Sequence, residues 1–591
     1  MIRTPTTRPS LRLIDRLATR VWAPAQALIR PFRRRWWVDA LVILGVCAVL
    51  FGVVEMGREW TGVHRPAIQI DLSPQALPGY TFFSMMRGLA AYVLSLAFTL
   101  VYGFWAAKDP RAEKLLVPLL DILQSIPVLG FMPGLVLAMV ALFPHTNVGL
   151  ELAAVIMIFT GQAWNMTFSF YHSLKSVPHD IAEASTAYRF DWWRRFKWVE
   201  LPFGATGLVW NSMMSMAGGW FFLMINEAFR LGDHDFRLPG LGSYMSVAVA
   251  EGRTDAMAMA VLAMVLMIVG LDQLLWRPVV VWAQRFRVEE TAAAEASRSW
   301  FLDLLRRSVV IRRLGRWRKA RARRRRAAPA PPAHPVTRGI VKPPAALAAV
   351  ALWLLLALLA WGGLRLLHLL AHLPAAYWAA LGVAGLATLA RVLVSTLIGT
   401  AWALPVGLAI GLSPRLSRLL QPVVQVMASF PAPMLFPLAI ALLHAAGVGL
   451  GLGSIVLMLL GTQWYILFNV IAGASSVPSD LREAMVAFRM NRRERFWALY
   501  LPAVFPYLVT GWVTAAGGAW NASIVAEYVT YKGATLATRG LGAAVSQAAE
   551  HAQFPHLAAA VLVMSLVVVS FNRVVWRRCY ELASTRFSLT R

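Results

Sequence analysis

Two segments of the chain, 300 residues apart, carry the same pattern of acidic, basic and proline residues. Residues 176–202 read SVPHDIAEASTAYRFDWWRRFKWVELP, and residues 476–502 read SVPSDLREAMVAFRMNRRERFWALYLP. Acidic residues that follow a proline favour the start of a helix, and the closing Leu-Pro is expected to turn the chain into the next element. This chemistry suits the docking of a partner. The shared residues on which the prediction rests are Asp180, Glu183, Ala184, Arg189, Leu201 and Pro202, and Asp480, Glu483, Ala484, Arg489, Leu501 and Pro502.

Catalysis by this chain is not supported by its sequence. The nucleotide-binding pattern G-x-x-x-x-G-K-[ST] is absent, and no Gly-Lys pair occurs. The two cysteines, Cys47 and Cys579, lie at opposite ends of the chain, which argues against a disulfide framework and a cysteine metal site. We found no triad-like set and no metal-ligand constellation. The chain is therefore predicted to be no enzyme by itself and to bind no metal.

The elements that position the repeated segments are long and apolar. The chain of 591 residues is 58% hydrophobic and 15% charged, with a mean hydropathy of +0.58. Soluble domains carry about 25% charged residues. The apolar runs are continuous rather than alternating, which indicates membrane-crossing helices of about 20 residues rather than barrel strands. The predicted fold class is an all-α polytopic membrane protein.

Twelve predicted spans fall into two parallel runs of six, which should pack about a pseudo-two-fold axis with the pathway between them. Spans 115–143 and 417–445 are interrupted by prolines, so we expect each to combine a short interfacial helix with a crossing helix. The other spans are 38–57, 83–107, 149–172, 203–225 and 256–282, then 346–370, 380–411, 450–473, 503–525 and 555–578. The predicted domains are a basic N-terminal segment (1–37), a first repeat (38–285), a basic Pro/Ala linker (286–345) and a second repeat (346–591).

The net charge of +28 reflects membrane topology rather than nucleic-acid binding. Of the 57 Lys and Arg residues, 42 fall in the segments predicted to lie on the same side of the membrane as the N-terminus, and 7 fall in the predicted outer loops, which is the positive-inside pattern. Both termini and both repeated segments are therefore predicted to be cytoplasmic. Residues 1–37 are expected to form either a surface amphipathic helix or a partly disordered tail. The linker is expected to contact the inner leaflet, so membrane lipids are predicted partners and nucleic acid is not.

The repeated segment resembles the EAA motif of the membrane subunits of binding-protein-dependent ABC importers. That motif reads Glu-Ala-Ala, three residues, Gly, nine residues and Ile-x-Leu-Pro. Both copies keep this spacing, from Glu183 to Pro202 and from Glu483 to Pro502. The motif glycine is replaced by arginine in both copies. Because a glycine allows close backbone approach, we expect an altered docking surface in which the arginine pairs with a charge on the partner.

The resemblance implies the type I ABC importer permease fold with two coupling helices. These would dock on two separate ATP-binding subunits that hold ATP and Mg²⁺, while this chain binds no cofactor. Segments 218–229 (GGWFFLMINEAF), 238–242 (LPGLG) and 517–542 look like the nitrate/sulfonate/taurine/bicarbonate branch. The resemblance thus implies alternating-access import of a small anion across the bacterial inner membrane. A periplasmic or lipid-anchored substrate-binding protein would deliver the anion.

Polar residues inside the predicted spans are candidates for the translocation pathway or gate, because charge is costly in a bilayer. Arg87 and Arg391 match between the repeats and would offer an anion two positive charges, with snorkelling as the alternative. Glu227 and Glu527 also match, and are expected to pair with arginine or to receive the binding protein. Helix packing or hydrogen bonding explains the remaining candidates equally well. They are Trp220, Trp520, Gln162, Asn165 and Gln463.

Two other functions stay open at this point. One is an ABC importer permease for a neutral or cationic small solute. The other is a secondary transporter with parallel 6+6 repeats, which would need coupling-ion carboxylates at mid-membrane. The acids in the predicted spans, chiefly Asp121, Glu151 and Asp272, lie near span ends, and the secondary-transporter reading leaves the repeated cytoplasmic motif unexplained.

Overall fold

The computed structural model describes residues 36–62, 68–231, 234–286, 299–308, 310–313, 315–317, 320, 345–531 and 534–587. Residues 1–35 of the predicted basic N-terminal segment (1–37), whether surface helix or partly disordered tail, and residues 321–344 of the predicted linker lie outside the described residues.

The first half consists of apolar helices, as expected from its continuous hydrophobic runs. A β-hairpin, strands β1 (Ala228–Leu231) and β2 (His234–Arg237), joins two of them. The helices are α1 (Trp36–Thr61), α2 (Leu77–Lys108), α3 (Pro110–Ser125), α4 (Met132–Leu142), α5 (Val148–Lys175), α6 (His179–Ala187), α7 (Trp192–Arg195), α8 (Leu201–Asn226), α9 (Leu241–Ala250), α10 (Thr254–Leu271) and α11 (Arg277–Ala283).

The second half repeats this order after a linker that contains helix α12 (Trp300–Arg307). Its hairpin consists of β3 (Tyr528–Tyr531) and β4 (Ala534–Ala537). The helices are α13 (Ala345–Leu370), α14 (Ala375–Leu412), α15 (Pro414–Ser429), α16 (Phe436–Ala445), α17 (Leu450–Ser475), α18 (Ser479–Ala487), α19 (Arg492–Arg495), α20 (Leu501–Ala526), α21 (Leu541–Glu550), α22 (Phe554–Phe571) and α23 (Arg577–Arg586).

The predicted membrane class is confirmed by the described helices. Nine continuous helical stretches in this part of the chain are long and apolar enough to cross a membrane. Two further helix pairs are apolar and long enough only when each is taken as one unit, and both are sharply bent: α3 and α4 meet at 86°, and α15 and α16 meet at 85°. The remaining predicted span, 346–370, coincides with α13. The prolines that follow α3 and α15, Pro127 and Pro431, produce the bends because the residue before a proline disfavours helical geometry.

Residues 54–297 and 337–591 form one compact unit. In its first half, α5 packs between α2 and α8, and in its second half α17 packs between α14 and α20. The halves also exchange contacts across their boundary. Helix α15 packs on α8 and α10, α3 packs on α22, and the backbone N–H of Val128 donates to Asn521 Oδ1 at 2.8 Å. The bent elements of one half are therefore held by the long helices of the other.

A second, smaller unit comprises residues 1–53 and 298–336. Its described part consists of the start of α1, helix α12 and the helical residues that follow α12. The predicted domain boundaries at 38–285, 286–345 and 346–591 stay a prediction.

Candidate functional site

The two copies of the repeated segment fold as the same short, exposed helix. Helices α6 and α18 are nine residues long, and each begins directly after a proline. Asp180 and Asp480 lie in the first turn of their helices, where a carboxylate meets unpaired backbone N–H groups and the positive end of the helix dipole. Both aspartates are exposed. The sequence thus builds the same charged helix twice, on a surface that a partner can reach.

The two glutamates of the motif point outward as well. Glu183 is exposed and lies 3.1 Å from His179 Nδ1 through its Oε1 atom. Glu483 is exposed in the second copy, where residue 479 is a serine that bonds to Asp480 instead. Ala184 is exposed, whereas its counterpart Ala484 is half-buried. The acidic surface is therefore common to both helices, but its immediate neighbours differ.

Arg189 and Arg489 adopt left-handed backbone conformations, with φ of 50° and 52°. Each follows the last turn of its helix in a Schellman arrangement. In the first copy, the N–H of Arg189 donates to Thr186 O, and the N–H of Phe190 donates to Ser185 O. Close backbone approach, the expected reason for the glycine of the motif, stays a prediction. The position demands a positive φ, and an arginine meets that demand at a cost of about 1 kcal/mol.

Exposed aromatic side chains accompany the acids, and sequence reasoning missed them. Tyr188 and Phe488 occupy the same position at the end of their helices, and each is 77% exposed. Trp198 and Trp497 are also exposed nearby along the chain. Aromatic residues at this exposure are typical of binding surfaces. The signal was present in the repeat, because positions 188 and 488 are both aromatic without being identical.

Leu201 and Pro202 do not turn the chain, in contrast to the prediction, and neither do Leu501 and Pro502. The turn lies earlier, at the left-handed arginine. The Leu-Pro pair instead lies inside a continuous helical stretch, Trp192–Asn226 or Arg492–Ala526. A π-helical turn precedes it in both halves. A π-helical turn loosens the regular hydrogen-bond ladder, which accommodates a residue with no N–H to donate.

At the far end of α8, a buried arginine joins three helices. Arg87 on α2 binds Glu151 on α5 through Nε (2.5 Å) and Nη2 (2.8 Å). Its Nη1 atom donates to Glu227 Oε1 at 2.5 Å, just past the end of α8. Glu227 also accepts from Ser84 Oγ (2.7 Å) and the N–H of Gly242 (2.6 Å). The three charged side chains are at most 1% exposed.

The second half has a related but smaller cluster. Arg391 Nη1 binds Glu527 Oε1 at 2.8 Å, and Thr388 donates to the same carboxylate at 2.9 Å. The position that matches Glu151 is Gly451, whose carbonyl oxygen accepts from Arg391 Nε at 3.2 Å. Arg391 is 13% exposed. The expected pairing of each arginine with its glutamate is thus present.

The two clusters differ in the number of acidic side chains. Among the described residues, the first joins one guanidinium to two carboxyl groups. The second joins one guanidinium to one carboxylate. Comparison of the repeats missed Glu151 because a glycine stands at its matching position.

Glycines make room for both glutamates. A Cβ atom at Gly240 would overlap the Glu227 carboxylate, and one at Gly540 would overlap that of Glu527. The carboxylates therefore lie against the backbone at the starts of α9 and α21.

Comparison with known proteins places these features in a family. The family model described as "Binding-protein-dependent transport system inner membrane component" matches residues 99–275 and again residues 399–577. The two matches together cover more than half of the chain. The chain belongs to this family. Each matched segment contains one complete exposed helix with its Leu-Pro pair. The first segment also contains Glu151 and Glu227, and the second contains Glu527.

The names of individual relatives give nitrate, taurine and bicarbonate as their substrates. The nitrate import permease protein NrtB of Synechocystis sp. is 27% identical over 25% of this chain and 52% of its own length. The taurine transport system permease protein TauC of Escherichia coli is 28% identical over 31% of this chain and 62% of its own length. The bicarbonate permease CmpB of Synechocystis sp. is 32% identical over 13% of this chain and 27% of its own length. The chain thus spans about half the length of the nitrate permeases that it matches.

The remaining pathway candidates of this family member lie in different surroundings. Trp220 is buried and, with Asp272 and Gln425, lines a small pocket of about 20 Å³ between the two halves. Trp520 is buried on the other half. Gln162 is fully buried and accepts from Ser95 Oγ at 3.3 Å, so it joins α5 to α2. Asn165 is exposed and Gln463 is half-buried.

Proposed function

We propose that this chain is the membrane-spanning permease of an ATP-driven ABC importer for a small anion, with both halves of the permease in one polypeptide. Two copies of the family domain support the fused arrangement. The names of the nitrate, taurine and bicarbonate permeases support the anion class. Substrate binding to a separate protein would precede transport, and this chain would supply the path between its two halves.

The pair of exposed helices α6 and α18 carries this proposal. Each combines an acidic first turn, a left-handed arginine and an exposed aromatic residue at the same position. A surface built twice in this way fits two copies of a similar partner. We assign it to the docking of two ATP-binding subunits, which would hold ATP and Mg²⁺.

The helices that follow give a route for coupling. After a short turn, α6 leads into the continuous helical stretch Trp192–Asn226, and Glu227 lies at its other end. A displacement of α6 by a moving ATPase subunit would therefore reach the buried Arg87–Glu227 cluster. The π-helical turn at Phe196–Glu200 lies on this route, and π-helical turns inside α-helices are frequent at functional sites.

We assign the buried arginines the role of holding neighbouring helices together. They would not attract the anion directly. Arg87 donates to two carboxylates and a backbone carbonyl, and Arg391 donates to a carboxylate and three other oxygens. The hairpins β1–β2 and β3–β4 follow Glu227 and Glu527 directly. We assign these hairpins to contact with the substrate-binding protein, on the face opposite the coupling helices.

The proposed setting is the bacterial inner membrane. Both termini and the coupling helices would face the cytoplasm, since 42 of the 57 Lys and Arg residues fall in the segments on that side of the predicted spans.

The test is reconstitution of the full chain in nanodiscs with the ATP-binding and solute-binding proteins encoded beside it. ATPase activity is measured with the binding protein alone and after loading with nitrate, bicarbonate, taurine or a neutral solute. We expect one loaded anion to stimulate ATPase activity and the neutral solute to have no effect. Stimulation by a neutral or cationic solute would overturn the anion class. Absence of any associated ATPase would favour a secondary transporter.

A matched pair of variants tests the coupling surface in the same assay. Replacing Glu183 and Glu483 together with Gln should abolish stimulation or prevent co-purification of the ATP-binding subunits. Replacing the exposed Glu581 of α23 with Gln should change neither. Unchanged stimulation in the Glu183/Glu483 variant would remove α6 and α18 from the coupling path.

A further inference from the structure

The linker helix α12 is fastened to the first turn of α1. Asp39 Oδ1, in that turn, accepts hydrogen bonds from Ser308 Oγ (2.5 Å) and from the N–H of Val310 (3.2 Å). The Oγ atom of Ser308 also accepts a hydrogen bond from the N–H of Ile311 at 3.2 Å, at the start of the helical segment that follows α12. The end of α12 and the start of that segment therefore have a fixed position relative to α1.

This contact sets the depth of the linker in a bilayer. The apolar stretch of α1 that can cross a membrane runs from Trp37 to Thr61, so Asp39 lies at the end where α1 enters the bilayer. Trp37 is exposed at this end, and tryptophan is enriched at the boundary between lipid and water. Because Ser308 and Val310 touch Asp39, α12 lies at the level of the headgroups.

The surface of the linker suits that level. Helix α12 places its apolar residues on one side and its charged residues on the other. The apolar side holds Trp300, Phe301, Leu304 and Leu305, the other side holds Asp303, Arg306 and Arg307, and Leu302 lies at the boundary between the two. Trp300 and Trp317 are each 56% exposed. A short helix with an apolar side and cationic edges is typical of segments that lie in the membrane interface.

The charge of the described linker is strongly positive. Five exposed arginines stand against one acid, Asp303, which lies 3.6 Å from Arg306. The exposed arginines are Arg306, Arg307, Arg312, Arg313 and Arg316. Such a cluster at headgroup level is attracted to anionic lipid by about 1 kcal/mol for each cation.

We propose that residues 299–308, 310–313 and 315–317 bind the phosphate headgroups of anionic phospholipids in the leaflet where α1 begins. The apolar side of α12 enters the interface, and the arginines contact the phosphates. Nucleic acid is a poorer match because the segment is held at the membrane boundary by Asp39 and presents tryptophan beside its arginines. This surface is independent of the proposed transport activity, and its test requires neither partner subunits nor substrate.

The experiment uses the full chain with its two cysteines replaced by serine and a single cysteine introduced by Val310→Cys. This position is 45% exposed. A fluorophore on the cysteine is quenched with acrylamide, which is neutral. Nanodiscs contain either phosphatidylcholine alone or phosphatidylcholine mixed two to one with phosphatidylglycerol. We expect the fluorophore to be protected from acrylamide in the mixed bilayer, and the protection to fall at about 1 M salt, where the Debye length is about 3 Å.

Two charge variants make the result specific. Replacing Arg312 and Arg313 with Gln should lower the ratio of protected to unprotected chains roughly 25-fold, about fivefold for each cation. Replacing Arg577 and Arg578 with Gln removes the same charge from α23 and should leave the protection unchanged. Equal quenching in both bilayers, or wild-type protection in the Arg312/Arg313 variant, would overturn the proposal. Protection that depends on added ATP-binding subunits instead of phosphatidylglycerol would also overturn it, in favour of a protein partner.

Discussion

Replacement of Arg87 by Gln should destabilise the protein far more than replacement of Arg391, although the two arginines match in the repeats. Arg87 contacts two carboxylates that are both fully buried. Arg391 contacts one, and its own side chain is 13% exposed. The prediction therefore follows from the number of carboxylates that each substitution leaves without a countercharge.

The magnitude can be worked from these contacts. Removing one partner of a buried ion pair costs about 3–5 kcal/mol, because an uncompensated charge stays in a medium of low dielectric constant. Arg87→Gln leaves Glu151 and Glu227 in this state, so we expect a loss at or above about 5 kcal/mol. In Arg391→Gln, Glu527 keeps hydrogen bonds from Thr388 and Gly542. We expect a loss of about 2 kcal/mol there, the scale of one charged hydrogen bond.

The assay is thermal unfolding of the purified full chain in nanodiscs, with size-exclusion chromatography to measure the folded fraction. Arg87→Gln should lower the melting temperature at least twice as much as Arg391→Gln. The decisive control combines Arg87→Gln with Glu151→Gln, which leaves one buried carboxylate as Arg391→Gln does. This double variant should recover to the level of Arg391→Gln. Equal losses for the two single variants, or no recovery in the double variant, would refute the reasoning from charge.

Three further changes test the other features of the site. Replacing Arg189 and Arg489 with Gly should raise the free energy of unfolding by about 1 kcal/mol at each position, measured by thermal unfolding, because glycine adopts a left-handed backbone without strain. Replacing Tyr188 and Phe488 with Ala should reduce co-purification of ATP-binding subunits about tenfold or more, since a buried aromatic contributes about 1.5–3 kcal/mol. Gly240→Ala should cost about 1–3 kcal/mol in thermal unfolding because the new methyl group displaces the Glu227 carboxylate.

Each of these changes has a control within the chain. Arg189→Ala removes the guanidinium but keeps the strained backbone, so a gain in stability equal to that of Arg189→Gly would contradict the left-handed explanation. Trp210→Ala removes an exposed aromatic from α8 and should leave co-purification intact. Gly79→Ala adds a methyl group where no atom lies within 4 Å. A loss of stability at Gly79 equal to that at Gly240 would contradict the steric argument.

The bends of α3 and α15 could be predicted because their cause is local. Prolines at 127 and 431 disfavour helical geometry in the preceding residue whatever the rest of the fold does. The same local reasoning failed at Pro202, which was expected to turn the chain. There a π-helical turn precedes the proline and lets the helix continue. A proline in a sequence marks a missing N–H, but the surrounding hydrogen-bond pattern decides whether the helix stops.

The position of the repeated exposed surface on α6 and α18 was predictable from the sequence, but its backbone conformation was not. Two copies of one motif located α6 and α18 and their exposed acids, because the acids and prolines act within one helical turn. The left-handed conformation of Arg189 was not predictable, since arginine has no preference for positive φ. It results from the hydrogen bonds of the Schellman arrangement, which form between residues that the motif does not mark.

The sequence by itself determined the membrane class, the positions of the spans, the duplication and the exposed motif. These depend on apolar length, periodic repetition and local helix signals, all of which are properties of neighbouring residues. The tertiary structure decided how the buried charges are shared. Arg87, Glu151 and Glu227 are separated by 64 and 76 residues along the chain, and they meet only because α2, α5 and α8 pack side by side. In the second half, Arg391 bonds to the backbone oxygen of Gly451, because this glycine stands at the position of Glu151 and has no carboxylate.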